Sequence, residues 1–195
     1  IKKETPNEKR ESDVAWEELQ QLKPLTKKLK RDERLLYGLY INPGLGFVPR
    51  NDFANMKIVE SLDDIEEDKN MNYYVKDKKA ILLKEYKTSK RYGRVMTEVP
   101  SELIPLIETN REYVFENNNQ ESISENTLQH KISRFMTRLV GKKFTINNIR
   151  RSYATHINNN GSSIVDKAMV ARKMGHSINT NKKVYNYDDE DIQII

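Results

Sequence analysis

Apolar side chains in this chain fall into short clusters whose spacing switches from helical to alternating and back. Val14, Trp16, Leu19 and Leu22 recur at helical intervals behind Ser12 and Asp13, either of which can cap a helix, until Pro24 interrupts it. Leu35, Leu36 and Leu39 form the buried stripe of a second helix running from Leu29 to Tyr40. The stretch INPGLGFVPR, residues 41–50, holds two prolines and two glycines and predicts a turn that closes that helix. The acidic segment 60–68 reads as a solvated loop. Strand-like runs follow at 71–75 and 79–86, bridged by Lys76-Asp77-Lys78, and a third from Gly93 to Val99 pairs with the second across the turn Lys87–Tyr92. From Pro100 the pattern is helical again: Ser101 caps a helix carrying Leu103, Ile104, Leu106 and Ile107, and Leu128–Leu139 forms another after the Asn/Ser-rich loop 117–126. Thr145 caps a helix to Asn160 stopped by Gly161, Ser163 one to Met174 stopped by Gly175, and a last helix lies near Asn179–Asp188. The expected fold is α+β and mainly α, with a small three-stranded antiparallel sheet packed at one side of a helical core.

Composition narrows this picture. With 195 residues the chain suits one domain, since two would leave each half near the size where burial becomes marginal. Residues 1–11 are polar and read as a linker or chain end, 12–187 as the domain, and 188–195 as a tail. That tail, DDEDIQII, places Ile192, Ile194 and Ile195 behind four acids, a pattern that suits docking onto a neighbouring subunit. The net charge is +5, a field that attracts polyanions. There is no cysteine, so disulfides and thiolate zinc sites are excluded, and a reducing, intracellular setting fits. His130, His156 and His176 make no metal-ligand pattern. No apolar run approaches the ~20 residues of a membrane span, and the start lacks the apolar core of a signal peptide. Richness in Asn, Lys and Ile points to an AT-rich genome such as that of a virus or mobile element.

The motifs that carry chemistry lie mostly in the last third, where IRRSYATH (149–156), MGHS (174–177) and VYNY (184–187) follow in order on three successive helical segments. This order resembles the tyrosine recombinase and phage integrase family: an arginine followed by a short helix ending in Ala-Thr-His, a Gly-His pair, and a tyrosine nine residues after that histidine. Tyr185 stands nine residues after His176. Upstream, PRNDFANMKI (49–58) is similar to the family's first arginine box, matching Arg50 with Asp52 as its acidic neighbour. EYKTSKRYGRVMTEVP (85–100) is similar to its β-hairpin, whose turn carries an active-site lysine, matched here by Lys87. The resemblance covers residues 12–187 and departs at Asn147, where the family usually has histidine.

What the resemblance implies is a DNA strand-exchange enzyme, and the residue types fit the chemistry. Attack on a phosphodiester concentrates charge on its equatorial oxygens, and two guanidiniums can donate paired hydrogen bonds there without losing their protons. Arg50 and Arg150 would form that clamp, with His176 a third donor. Tyr185, whose phenol has an ordinary pKa near ~10, would be the nucleophile in this cationic surround. Lys87 on its hairpin turn would protonate the departing 5′-oxygen. Asn147 can hydrogen-bond but cannot transfer a proton, so it would only orient the phosphate or the nucleophile. His156 reads as a packed histidine supporting the site. Lys142, Lys143, Arg151, Arg172 and Lys173 are either a solvated face or contacts to DNA phosphates, and Tyr187 is the rival nucleophile. The family's mechanism needs no cofactor and no metal. The expected partner is duplex DNA, with the chain a monomer or weak dimer alone and a tetramer on DNA, and with no membrane or small-molecule ligand. A type IB topoisomerase and a DNA-binding module that has lost catalysis are the alternative readings.

Overall fold

The structure, a computed structural model, describes residues 13–22, 29–41, 44–160 and 162–175. In chain order it builds α1 (Trp16–Gln21), α2 (Arg31–Tyr40), β1 (Lys57–Val59), β2 (Tyr73–Val75), β3 (Ala80–Leu83), α3 (Ser89–Tyr92), β4 (Val95–Glu98), α4 (Ile104–Ile107), α5 (Glu125–Val140), α6 (Ile146–Asn159) and α7 (Ile164–Lys173). The apolar stripes predicted on the helices are buried where expected: Leu35, Leu36 and Leu39 on α2, and Leu128, Ile132, Phe135 and Met136 on α5. One core cluster collects them with the aromatic residues Phe47, Phe53, Phe115 and Phe144. Gly38, in the middle of α2, lets α2 approach the segment before α4, because a Cβ there would lie 2.1 Å from Leu103 Cδ2.

The sheet has four strands in the order β1-β2-β3-β4 and is mixed, which corrects the expectation of three antiparallel strands. β2, β3 and β4 pair antiparallel, with Tyr74 opposite Ile81 and Leu82 opposite Met96. β1 adds to the edge in parallel, Ile58 opposite Tyr74. Three residues, Lys-Ile-Val, are too few to show an alternating pattern, and their partner lies beyond an intervening loop, so nothing local announces this strand. The acidic segment 60–68 is not simply solvated. Glu66 accepts from Lys57 at 2.7 Å, and Glu67 engages Arg94 Nη1 at 2.9 Å and Lys84 at 3.3 Å, so the loop clasps one side of the sheet.

Asp13 also departs from its expected role. The N-cap of α1 is Ala15, with no side-chain cap. Asp13 instead forms a two-pronged pair with Arg151 on α6, Nε to Oδ1 at 3.1 Å and Nη2 to Oδ2 at 2.9 Å. Beside it Ser152 Oγ donates to the Val14 carbonyl, and Trp16 meets Tyr153 edge to face with centroids 4.8 Å apart. These contacts seat α1 on α6. The last predicted helix, near 179–188, lies outside the described residues.

Both charges of the Asp13–Arg151 pair are buried, their side chains 0% and 5% exposed. Removing one partner strands the other in a low-dielectric setting, so Asp13→Ala should lower unfolding free energy by about 3–5 kcal/mol. Urea denaturation of the two proteins measures this, and a loss below about 1 kcal/mol would show that the pair does not anchor α1.

Candidate functional site

Four segments far apart in sequence meet at one small surface depression: the loop after α2, the turn between β3 and β4, α6 and the end of α7. Arg50, Asp52, Lys87, Arg150, Lys173 and Gly175 are among the residues that line it. The lining thus includes four basic residues and one acidic residue.

Arg150 is the fixed point. It lies in the interior of α6 and is fully buried. Its Nη1 donates to the Val48 carbonyl and its Nη2 to the Met174 carbonyl at 2.6 Å. One guanidinium thus joins the chain two residues before Arg50 to the chain just ahead of Gly175. Arg50 itself is held by its backbone. Its carbonyl accepts from the Tyr40 hydroxyl at 2.6 Å, and its N–H donates to Asp52 Oδ2 at 2.7 Å. Asp52 serves Arg50 through the main chain.

Burial pushes the Asp52 carboxyl up from its ordinary value, opposed by the Arg50 N–H and by the charges of Arg150 and Arg50. The Tyr40 phenol is pushed well above its ordinary value by burial and by the neighbouring Asp52 charge, with Arg150 pulling the other way. Lys173 reaches the same depression with Nζ 5.7 Å from the Phe47 ring centroid. Lys87 is exposed on its turn, and the turn is pinned by Tyr86 Oη donating to the Gly93 carbonyl at 2.7 Å.

The other expected site residues are dispersed. Asn147 is exposed in the first turn of α6 and is not among the lining residues. His156 faces α1: its Nδ1 is 2.6 Å from Glu17 Oε1, and its ring lies 6.3 Å from that of Trp16. Arg151 is corrected from a DNA-contacting residue to a buried structural one, because Asp13 holds its guanidinium. A helix turns about 100° per residue, so adjacent arginines cannot serve the same face. Lys142 and Lys143 are exposed after α5, with Lys142 Nζ 3.4 Å from the Asp13 carbonyl, and Arg172 is exposed on α7. His176, Tyr185 and Tyr187 lie outside the described residues. Sequence reading gave Tyr40 only as the end of a helix and missed its hydrogen bond to Arg50, and it did not bring Lys173 to the cleft.

Comparison with known proteins adds an independent observation. The pattern of the phage integrase family matches residues 63–191. The chain belongs to the phage integrase family. That match spans Lys87, Arg150, His176 and Tyr185. Solved structures extend the likeness to the fold as a whole. XerA recombinase superposes with a TM-score of 0.60 at 16% identity, over 96% of this chain and 63% of its own. A lambda integrase dimer bound to a COC′ core site gives 0.55 at 14% identity, over 94% and 62%. XerH recombinase bound to its difH substrate in a pre-cleavage complex gives 0.57 at 18%, over 92% and 51%. The chain thus has the integrase catalytic fold and spans between half and two thirds of these relatives. A search of curated protein sequences finds no match.

A carboxyl whose pKa is raised on folding binds its proton more tightly in the native state, so stability falls as pH rises from the ordinary value of 3.8 through the raised one. Asp52→Asn abolishes that titration. The stability difference, mutant minus wild type, should be flat below this window, climb across it and level off above it. Urea unfolding over a pH series reads this, and a difference that stays level throughout would remove Asp52 from the linkage.

Proposed function

We propose that this chain is the catalytic part of a site-specific recombinase or integrase that cleaves and rejoins duplex DNA through a 3′-phosphotyrosyl link at Tyr185. The observation that carries the reading is the meeting of Arg50, Lys87 and Arg150 at one depression, from segments up to 100 residues apart. Gly175 is among its lining residues, and His176 follows it in the sequence. The DNA-bound state of two of the structural relatives supports duplex DNA as substrate, and the dimeric state of the lambda integrase complex supports assembly on it.

In this reading the phenolic oxygen of Tyr185 attacks phosphorus and its proton leaves to solvent, since Asn147 cannot take it. The P–O5′ bond breaks, and Lys87 gives a proton to the departing 5′-oxygen. Rejoining runs the same steps backward. Arg50, Arg150 and His176 stabilise the charge that develops on the equatorial oxygens, a role suited to groups held in place beforehand. A guanidinium has five N–H donors. Arg150, which bonds the Val48 and Met174 carbonyls, would also donate to the phosphate. Lys173 would add a further phosphate contact at the cleft, and Lys142, Lys143 and Arg172 contacts along the duplex.

The acidic and apolar tail, residues 188–195, would dock on a neighbouring subunit of the assembly. Its deletion should weaken assembly on DNA, read as slower sedimentation of the complex; identical sedimentation would refute it.

A second reading, a DNA-binding module without cleavage, is favoured by Asn147 and by the engagement of Arg150 with two backbone carbonyls. A nicked suicide duplex, its sequence selected from random duplexes by affinity for the chain, separates the two. The enzyme reading expects a covalent adduct that mass spectrometry maps to Tyr185 and that Tyr185→Phe abolishes. Binding with no adduct would establish the module.

A further inference from the structure

Thr88 occupies an odd position. It is the N-cap of α3, where threonine ordinarily accepts a hydrogen bond from the first turn of its helix. It makes no such bond. Its Oγ1 is buried and has no hydrogen-bond partner among the described residues. An unsatisfied buried hydroxyl is costly, and native proteins retain few of them. The hydroxyl is turned toward the end of α7: a Cβ built on Gly175 would lie 2.9 Å from Thr88 Oγ1 and 3.9 Å from Thr88 Cγ2. Gly175 has φ +77° and no side chain, so it both makes the turn after α7 and vacates the space that Thr88 fills. Three facts about two residues, a declined cap, a hydroxyl with no partner among the described residues and a glycine whose Cβ would meet that hydroxyl, describe one steric joint.

From this we infer that Thr88 is a positioning residue that registers the Lys87 turn on the end of α7, fixing the reach of the lysine relative to Gly175 and the Arg150 anchor. Lys87 is otherwise exposed, and Arg150 holds the α7 end through the Met174 carbonyl. Without the joint the turn keeps its pin between Tyr86 and Gly93 but loses its reference to the rest of the cleft. A misplacement of about 1 Å at a reacting centre can cost on the order of a hundredfold in rate. The inference rests on the reading of Lys87 as the group that protonates the 5′-oxygen.

The test uses the full chain and two versions of the nicked duplex described above, one with the ordinary 5′-oxygen at the scissile bond and one with bridging sulfur there. A thiolate leaves without needing a proton, so a defect in delivering the proton disappears on the sulfur substrate. Thr88→Ala should cleave the oxygen substrate about tenfold more slowly or worse, and the sulfur substrate at the wild-type rate. Thr88→Ser, which keeps Oγ, should stay within about threefold of wild type on both. Equal slowing of Thr88→Ala on both substrates, or no slowing on either, overturns the positioning role. Lys87→Ala is the control for the underlying reading. If the sulfur substrate rescues Lys87→Ala but Thr88→Ala shows no oxygen-specific defect, only the joint is refuted. If it does not rescue Lys87→Ala, the lysine is not the acid and the inference falls with that role.

Discussion

A single buried guanidinium organises the cleft. Arg150 has no exposed surface, and it bonds to the carbonyls of Val48 and Met174. Burying a cation is costly unless its donors find acceptors, and a buried carbonyl that loses its donor is stranded in turn. The arrangement is therefore mutually required. The loop bearing Arg50 and the end of α7 are held in register because each supplies an acceptor to the same group. Tyr40 and Asp52 then fix the Arg50 backbone from either side, through its carbonyl and its N–H.

The neighbouring residue shows how one helix serves both fold and site. Arg151 points about 100° around α6 from Arg150 and meets Asp13. Its pair holds α1 against α6, reinforced by Ser152, Tyr153 and His156 on the same side. The face of α6 that carries α1 and the side chain that anchors the cleft thus belong to consecutive positions, and a displacement of α6 would disturb both. This explains why the segment 149–156 is so dense in polar residues and yet largely buried. Its polar side chains are internal fasteners.

Much of the fold was legible because amphipathic helices advertise themselves. Leu35, Leu36 and Leu39 on α2, and the caps Thr145 and Ser163, are local signals with local causes. What was not legible depended on distant partners. β1 exists because β2 offers it an edge, and Asp13 abandons capping because Arg151, 138 residues away, offers a stronger contact. The motif residues Arg50, Lys87 and Arg150 were visible as a pattern, but that Arg151 is buried while Lys173 reaches the cleft could not be seen in a string of cations. Lysine and arginine look alike in sequence whether they face water or a carboxylate.

The cleft is uneven in a way that matches the division of labour proposed for it. Groups that stabilise developing charge act best when they need not move as the reaction proceeds, and Arg150, buried and bonded at both ends, meets that condition. A group that delivers a proton must reach a leaving atom and then be recharged from solvent, which burial would prevent. Lys87 is exposed, on a short turn held to its own hairpin by one phenol and packed on α7 through Thr88. The rigid wall and the accessible turn meet at Gly175, the one lining residue where a side chain would collide with Thr88. The positions of both are therefore set by contact across a glycine, and the spacing between charge stabiliser and proton donor follows from packing that involves neither charge.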